Sequence, residues 1–164
     1  MNRRLQKSVL AWSFGAYALL MLWLLFGQRA GYLAIPGAYG TKLFQNCNLI
    51  PFATVAEFLR LLKYAQNPYL VRHALINLAG NVVMFVPLGF FLPCLWKKLR
   101  SFLRYLACQL AIVAGVELVQ WFTLLGSLDV DDLILNTIGA ASGFGLYRFA
   151  ERRLAARQKQ NNGC

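Results

Sequence analysis

LDVDDLILNTIGAASGFGLY, residues 128–147, changes character twice. It opens with Asp129, Asp131 and Asp132, half of the six acidic residues in the chain, then turns apolar, and ends rich in glycine. Carboxylates in the first turn of a helix accept its unpaired N–H groups and complement the positive end of its dipole. A helix is therefore expected to begin at about Asp129. One cap does not need three acids. Asp132 and Asn136 continue down one face, which then becomes Gly139 and Gly143, a G-x-x-x-G pair. Such glycines let another helix approach closely. The acid-bearing face is expected to point into a bundle, away from lipid.

The rest of the chain supplies the bundle. Of its 164 residues 59% are hydrophobic and 14% charged, with a mean hydropathy of +0.49, too apolar for an ordinary soluble domain. Long apolar runs recur, and a membrane segment satisfies its own backbone polar groups only as a helix. The fold class is all-α integral membrane protein. Residues 8–26 carry no charge behind the basic lead MNRRLQK, and read as an uncleaved first transmembrane helix rather than a signal peptide. Further spans are expected over about His73–Trp96, Phe102–Leu125 and Asp129–Tyr147. Pro87 and Pro93 are expected to kink or end the second.

The net charge of +11 does not indicate a nucleic-acid partner. Most basic residues abut apolar runs, in clusters at Arg3, Arg4 and Lys7, at Lys97, Lys98, Arg100 and Arg104, and from Arg148 to Lys159. No basic stripe is interleaved with aromatics for base stacking. The clusters follow the positive-inside pattern, giving a four-transmembrane-helix bundle with both termini cytoplasmic in the cell membrane. The expected organisation is a basic lead and first transmembrane helix (1–26), an extracytoplasmic loop (27–72), a three-helix core (73–148) and a basic cytoplasmic tail (149–164). Gly31, Pro36, Gly37 and Gly40 break up the start of the loop. Its later part is expected to hold an outer interfacial amphipathic helix at about 55–66. Thr54 and Glu57 would form its capping box, Val55, Phe58, Leu59 and Leu62 its apolar stripe, and Asn67-Pro68 its stop.

Polar residues recur inside the spans. His73, Asn77 and Asn81 fall every four residues on the second, and Glu117 and Gln120 lie three apart on the third. With a rise of about 1.5 Å per residue, Asn81, Glu117 and Asn136 are each expected about 10–12 Å below the outer ends of their helices. An ionised carboxylate at that depth costs roughly 2.5–3.5 kcal/mol, a cost that amide donors at the same level would reduce. Two readings follow. The amides and acids are interhelical hydrogen bonds, each worth about 0.6 kcal/mol. Or they line an outward polar pocket between the second, third and fourth spans, with Asn77, Asn81, Glu117, Gln120, Asp129, Asp131, Asp132 and Asn136 as ligand-binding residues. If the chain is an enzyme, Glu117 and Asp132 are its acid–base candidates. Neither the lone His73 nor the four cysteines have metal-ligand spacing, and no metal or cofactor is expected.

Several stretches together resemble the VanZ-like family of small multi-helix membrane proteins. They are NLIPF (48–52), NVVMFVPLGFFLP (81–93), VELVQ (116–120) and DVDDLILNTIGAASGFGLY (129–147), in the family's order. The matching positions are Asn81, Phe85, Pro87, Gly89, Glu117, Gln120, Asp129, Asp131, Asp132, Asn136 and Gly139. The resemblance marks 73–148 as the VanZ-like core and implies a role at the cell envelope, since the family's namesake is linked to resistance to teicoplanin, a lipoglycopeptide. The implied partners are membrane lipids and an amphiphilic, lipid-linked or glycopeptide-like ligand. A membrane-embedded acid–base enzyme acting on an envelope lipid or lipid-linked precursor is one alternative, and a small transporter or proton relay through Glu117 is another. Family members often carry an Arg shortly before the D-x-D-D element. Here that stretch, LGSLD, has none, and Arg72 or Lys42 would have to serve.

Overall fold

The computed structural model describes residues 3–27, 43–64 and 67–161. Among the described residues, five long α-helices carry the fold: α1 (Arg3–Phe26), α2 (Ala53–Tyr64), α3 (Pro68–Leu95), α4 (Phe102–Phe122) and α5 (Val130–Asn161). Two short strands, β1 (Cys47–Asn48) and β2 (Leu128–Asp129), pair in parallel, with Asn48 opposite Asp129. A 3₁₀ turn over Lys97–Arg100 joins α3 to α4. The expected breaks at Gly31, Pro36, Gly37 and Gly40, and the side chains of Arg29, Lys42 and Cys164, lie outside the described residues.

Among the described residues, three helices, α1, α3 and α4, are long and apolar enough to cross a membrane. Their outward faces remain oily: Trp12 is 80% exposed, and Leu19, Val83 and Leu103 are also exposed. Lipid is the solvent that such faces require. The fourth expected span, the first part of α5, is less apolar because Asp131, Asp132, Asn136 and several glycines lie within it. Its burial among the other helices accounts for that composition. The basic tail continues the same helix without a break to Asn161.

The helix ends follow local chemistry. Asn67 caps α3 by accepting from the Tyr69 N–H at 2.9 Å, with Pro68 in the first turn, where its missing N–H is harmless. The Asn-Pro pair, expected as the stop of α2, is the start of α3. This helix runs through both Pro87 and Pro93 to Leu95. At the end of α4, Leu125 N–H bonds Gln120 O at 3.0 Å and Leu124 N–H bonds Trp121 O at 3.1 Å. That is a Schellman cap with Leu124 in the left-handed position, at φ 56.

Among the described residues, the closest approach of two helices is between α3 and α5. A Cβ added to Gly139 would run into the Val82 carbonyl, one on Gly143 into the Val86 carbonyl, and one on Gly89 into the Ala140 carbonyl. The two backbones touch because those side chains are missing. The expectation that the glycine face of α5 receives another helix holds, and α3 is that helix. Around this seam lies the core of Phe85, Leu88, Leu92, Tyr105, Val113, Ala140, Phe144 and Tyr147. Tyr105 and Phe144 stack at 4.7 Å between ring centroids.

Candidate functional site

The acids of the D-x-D-D element have three different tasks. Asp129 caps α5, as its position predicts, accepting from the Asp131 N–H at 2.8 Å. Its carboxylate also accepts from the Thr54 hydroxyl at 2.6 Å and from the Asn48 amide at 3.4 Å. Asn48 in turn donates to Thr54 at 2.7 Å, closing a three-membered ring of side chains. Asp131 is fully buried and caps a different helix. It accepts from the backbone N–H groups of Phe52 and Val55, the latter at 3.0 Å, at the start of α2. Phe52 has φ 65, a left-handed conformation costly for a bulky residue, and the Asp131 bond helps to hold it. Thr54 thus lies inside the first turn of α2 with its hydroxyl committed to Asp129, instead of forming the expected capping box with Glu57. A carboxylate contributed from α5 does the capping.

Together with the β1–β2 pairing, these bonds clamp the segment 46–55 to the start of α5. Leu128 N–H bonds Asn46 O at 2.9 Å and the Trp121 indole bonds Leu43 O at 2.8 Å, extending the clamp to α4. The motif NLIPF and the D-x-D-D element are two halves of one structure. Glu117 joins it from below: it is 4% exposed, and its Oε2 accepts from the Asp129 N–H at 3.4 Å.

Asp132 has the third task. Half-buried on α5, it accepts from the Asn81 amide, which also lies 3.5 Å from Asn77 Oδ1. This makes a short relay, Asn77–Asn81–Asp132, between α3 and α5. Gln120 is buried and donates to Leu25 O at 3.0 Å, fastening the end of α1 to α4. Asn136 is buried one turn below Asp132 on α5, and its Oδ1 has no partner among the described residues. The sequence reading passed over Gln109, which is wholly buried on α4 with neither amide atom bonded. Its spacing from Val113 and Glu117 was the available signal, since the three share one face of α4.

A cleft of about 640 Å³ opens between α1 and α3. Leu20, Met21, Leu24 and Leu25 form one wall, and Ile76, Val83, Met84 and Pro87 form much of the other. His73, Asn77 and Asn81 add a polar strip along α3. The opening therefore lies between the first and second apolar helices, whereas the sequence suggested a pocket among the second, third and fourth. Of the eight residues expected to bind ligand, Asn77 and Asn81 line this cleft, and Asp132 touches it through Asn81. Glu117, Gln120, Asp129, Asp131 and Asn136 are interior. Arg72 is exposed near the start of α3. Among the described residues, no three His, Cys, Asp or Glu side chains converge in a way that could hold a metal ion.

The protein VanZ of Enterococcus faecium is 25% identical over 155 residues, covering 94% of this chain and 80% of that protein. No solved structure matches at a significant level. The family model described as VanZ/LLP1 matches residues 14–151, a range that takes in the clamp, the Asn81–Asp132 bond and both walls of the cleft. With that match spanning most of its length, the chain belongs to the VanZ/LLP1 family.

Proposed function

We propose that the chain acts at the cell envelope by receiving an amphiphilic molecule, of lipid-linked or glycopeptide-like type, in the cleft between α1 and α3. The observation that carries this reading is the union of an oily trough with one polar strip. A hydrocarbon tail would lie along Leu20, Leu24, Ile76 and Val83, with a polar head at His73, Asn77 and Asn81. Asn81 is oriented by Asp132, and Asn77, accepting from Asn81, keeps amide N–H groups to donate to a hydroxyl, carbonyl or phosphate oxygen. Sites of this kind are mostly apolar, with a few placed polar groups that set specificity. The proposal extends to a role in teicoplanin resistance.

The same reading has α1, α3, α4 and the first part of α5 crossing the cytoplasmic membrane, with both termini inside and the clamp outside. Basic residues at Lys97–Arg104 and beyond Arg148 support that orientation. At about 1.5 Å per residue, residues 130–147 of α5 measure about 27 Å, close to the hydrocarbon thickness of a bilayer. A second reading, acid–base or proton-relay chemistry through Glu117, rests on the burial of that carboxyl group.

Cleft occupancy is testable at Gly80, which lines the cleft and whose added Cβ would meet nothing within 4 Å. Gly80→Trp is expected to fill the cleft, leave the fold intact and abolish protection of a bacterial host against teicoplanin. Gly145→Trp, equally open but away from the cleft, is the control. Full protection by Gly80→Trp would remove the cleft from the mechanism.

A further inference from the structure

Among the described residues, three buried side-chain atoms of the bundle have no hydrogen-bond partner: Nε2 and Oε1 of Gln109, and Oδ1 of Asn136. They lie on facing walls of one seam. The helices α4 and α5 run antiparallel, and two bonds fix their register. Tyr105 Oη donates to Ala140 O at 2.7 Å, and Asp129 N–H to Glu117 Oε2 at 3.4 Å. Four residues along α4 from Tyr105 comes Gln109, and four back along α5 from Ala140 comes Asn136. Each step is about one turn, in the same direction, so both amides stand at one level about 6 Å from the Tyr105–Ala140 bond. Gln109 is 0% exposed and Asn136 2%, so neither bulk water nor lipid headgroups satisfy them.

We propose that Gln109 and Asn136 hold a buried water molecule in the seam between α4 and α5. The chemistry selects a neutral guest that both donates and accepts. Water donates to Gln109 Oε1 and Asn136 Oδ1 and accepts from Gln109 Nε2, three bonds of the number typical for internal waters. A cation would lack a carboxylate at this level: Val113 separates Gln109 from Glu117 along α4, and Asp132, one turn above Asn136, accepts from the Asn81 amide of α3. An anion would meet two amide oxygens. The guest completes the hydrogen bonding of a polar level that would otherwise be left open far from either membrane surface, where unpaired polar groups are most costly.

The test is hydroxyl-radical footprinting of the full chain in lipid nanodiscs, because radicals formed from a bound water label the side chains beside it. Tyr105 is 0% exposed and lies one turn from the proposed water; Leu92 is also buried, at 5% exposed, and the α3–α5 register places it about three turns from that level. With each rate normalised to that of the unfolded chain, Tyr105 is expected to be labelled several-fold faster than Leu92. In Gln109→Met, close in shape but unable to bond water, the normalised Tyr105 rate is expected to fall to that of Leu92. Equal normalised rates at Tyr105 and Leu92 in the unmutated protein would overturn the proposal and favour direct pairing of the two amides. An undiminished Tyr105 rate in a folded Gln109→Met protein would overturn it as well. Should that variant fail to fold, the comparison within the unmutated protein decides alone.

Discussion

The helix α3 has two neighbours that meet it in opposite ways. Against α5 it packs backbone to backbone, with Gly89, Gly139 and Gly143 removing every atom that would hold the helices apart. Against α1 it packs through bulky rings at one end, Phe14 on Phe91 and Trp96 with centroids 5.8 and 5.7 Å apart. Beyond those rings α1 is pinned by two hydrogen bonds, Tyr17 Oη to Met84 O at 2.8 Å and Gln120 Nε2 to Leu25 O at 3.0 Å. Between lies the cleft. In lipid the hydrophobic effect does not press helices together, so close packing and hydrogen bonds decide which pairs are tight. The α3–α5 pair has close packing. The α1–α3 pair is held at points and leaves room for a guest.

This contrast breaks most readily at the glycines. Gly143→Ala or Gly139→Ala drives a methyl into a carbonyl of α3, and is expected to destabilise the protein by about 3 kcal/mol or more, since neither backbone can give way easily. Gly115→Ala, where a Cβ meets nothing within 4 Å, is expected to be neutral or stabilising by up to about 1 kcal/mol. Reversible unfolding in mixed micelles measures both. Equal effects at Gly115 and Gly143 would mean that the α3–α5 seam is not the tight element.

A smaller loss is expected where the clamp meets α2. Asp131→Ala removes a carboxylate that accepts two backbone N–H groups, and is expected to cost about 2–3 kcal/mol. Hydrogen exchange at Phe52 and Val55 should accelerate, while exchange in the middle of α3 stays slow. Thr54→Ala, which removes the hydroxyl bond to Asp129, is expected to cost about 1 kcal/mol. Unchanged exchange at Val55 in Asp131→Ala would show that α2 is capped by other means.

On the loose side, Tyr17→Phe removes one pin of α1, at about 1 kcal/mol. Spin labels at Leu19 and Leu75 are expected to report a broader distance distribution, and labels at Leu75 and Ile138 an unchanged one. Broadening of both pairs would mean that the two interfaces are coupled. The least effect on stability is expected from Glu117→Gln, which keeps shape and an acceptor for the Asp129 N–H. If the carboxyl group itself acts, protection against teicoplanin is lost while the protein stays folded. Full protection would make Glu117 a hydrogen-bonding strut.

The sequence by itself determined the apolar helices, the start of α5 at Asp129 and the face of α5 that enters the bundle. These follow from length, capping chemistry and spacing along a single helix, all of which are local. Tertiary structure decided where each polar group found its partner. Asp129 reads as a cap and is one, but its bonds to Asn48 and Thr54 cross 81 and 75 residues, and Asp131 caps a helix that begins far upstream. No periodicity encodes such pairings, because a carboxylate bonds whichever donor the folded chain brings within reach. Gln109 and Asn136 are equally silent in one dimension, since only the antiparallel register of α4 and α5 places them opposite each other. The cleft is decided last of all. It is the volume left when α5 comes close to α3 and α1 cannot, and a void between helices depends on how every side chain around it has packed.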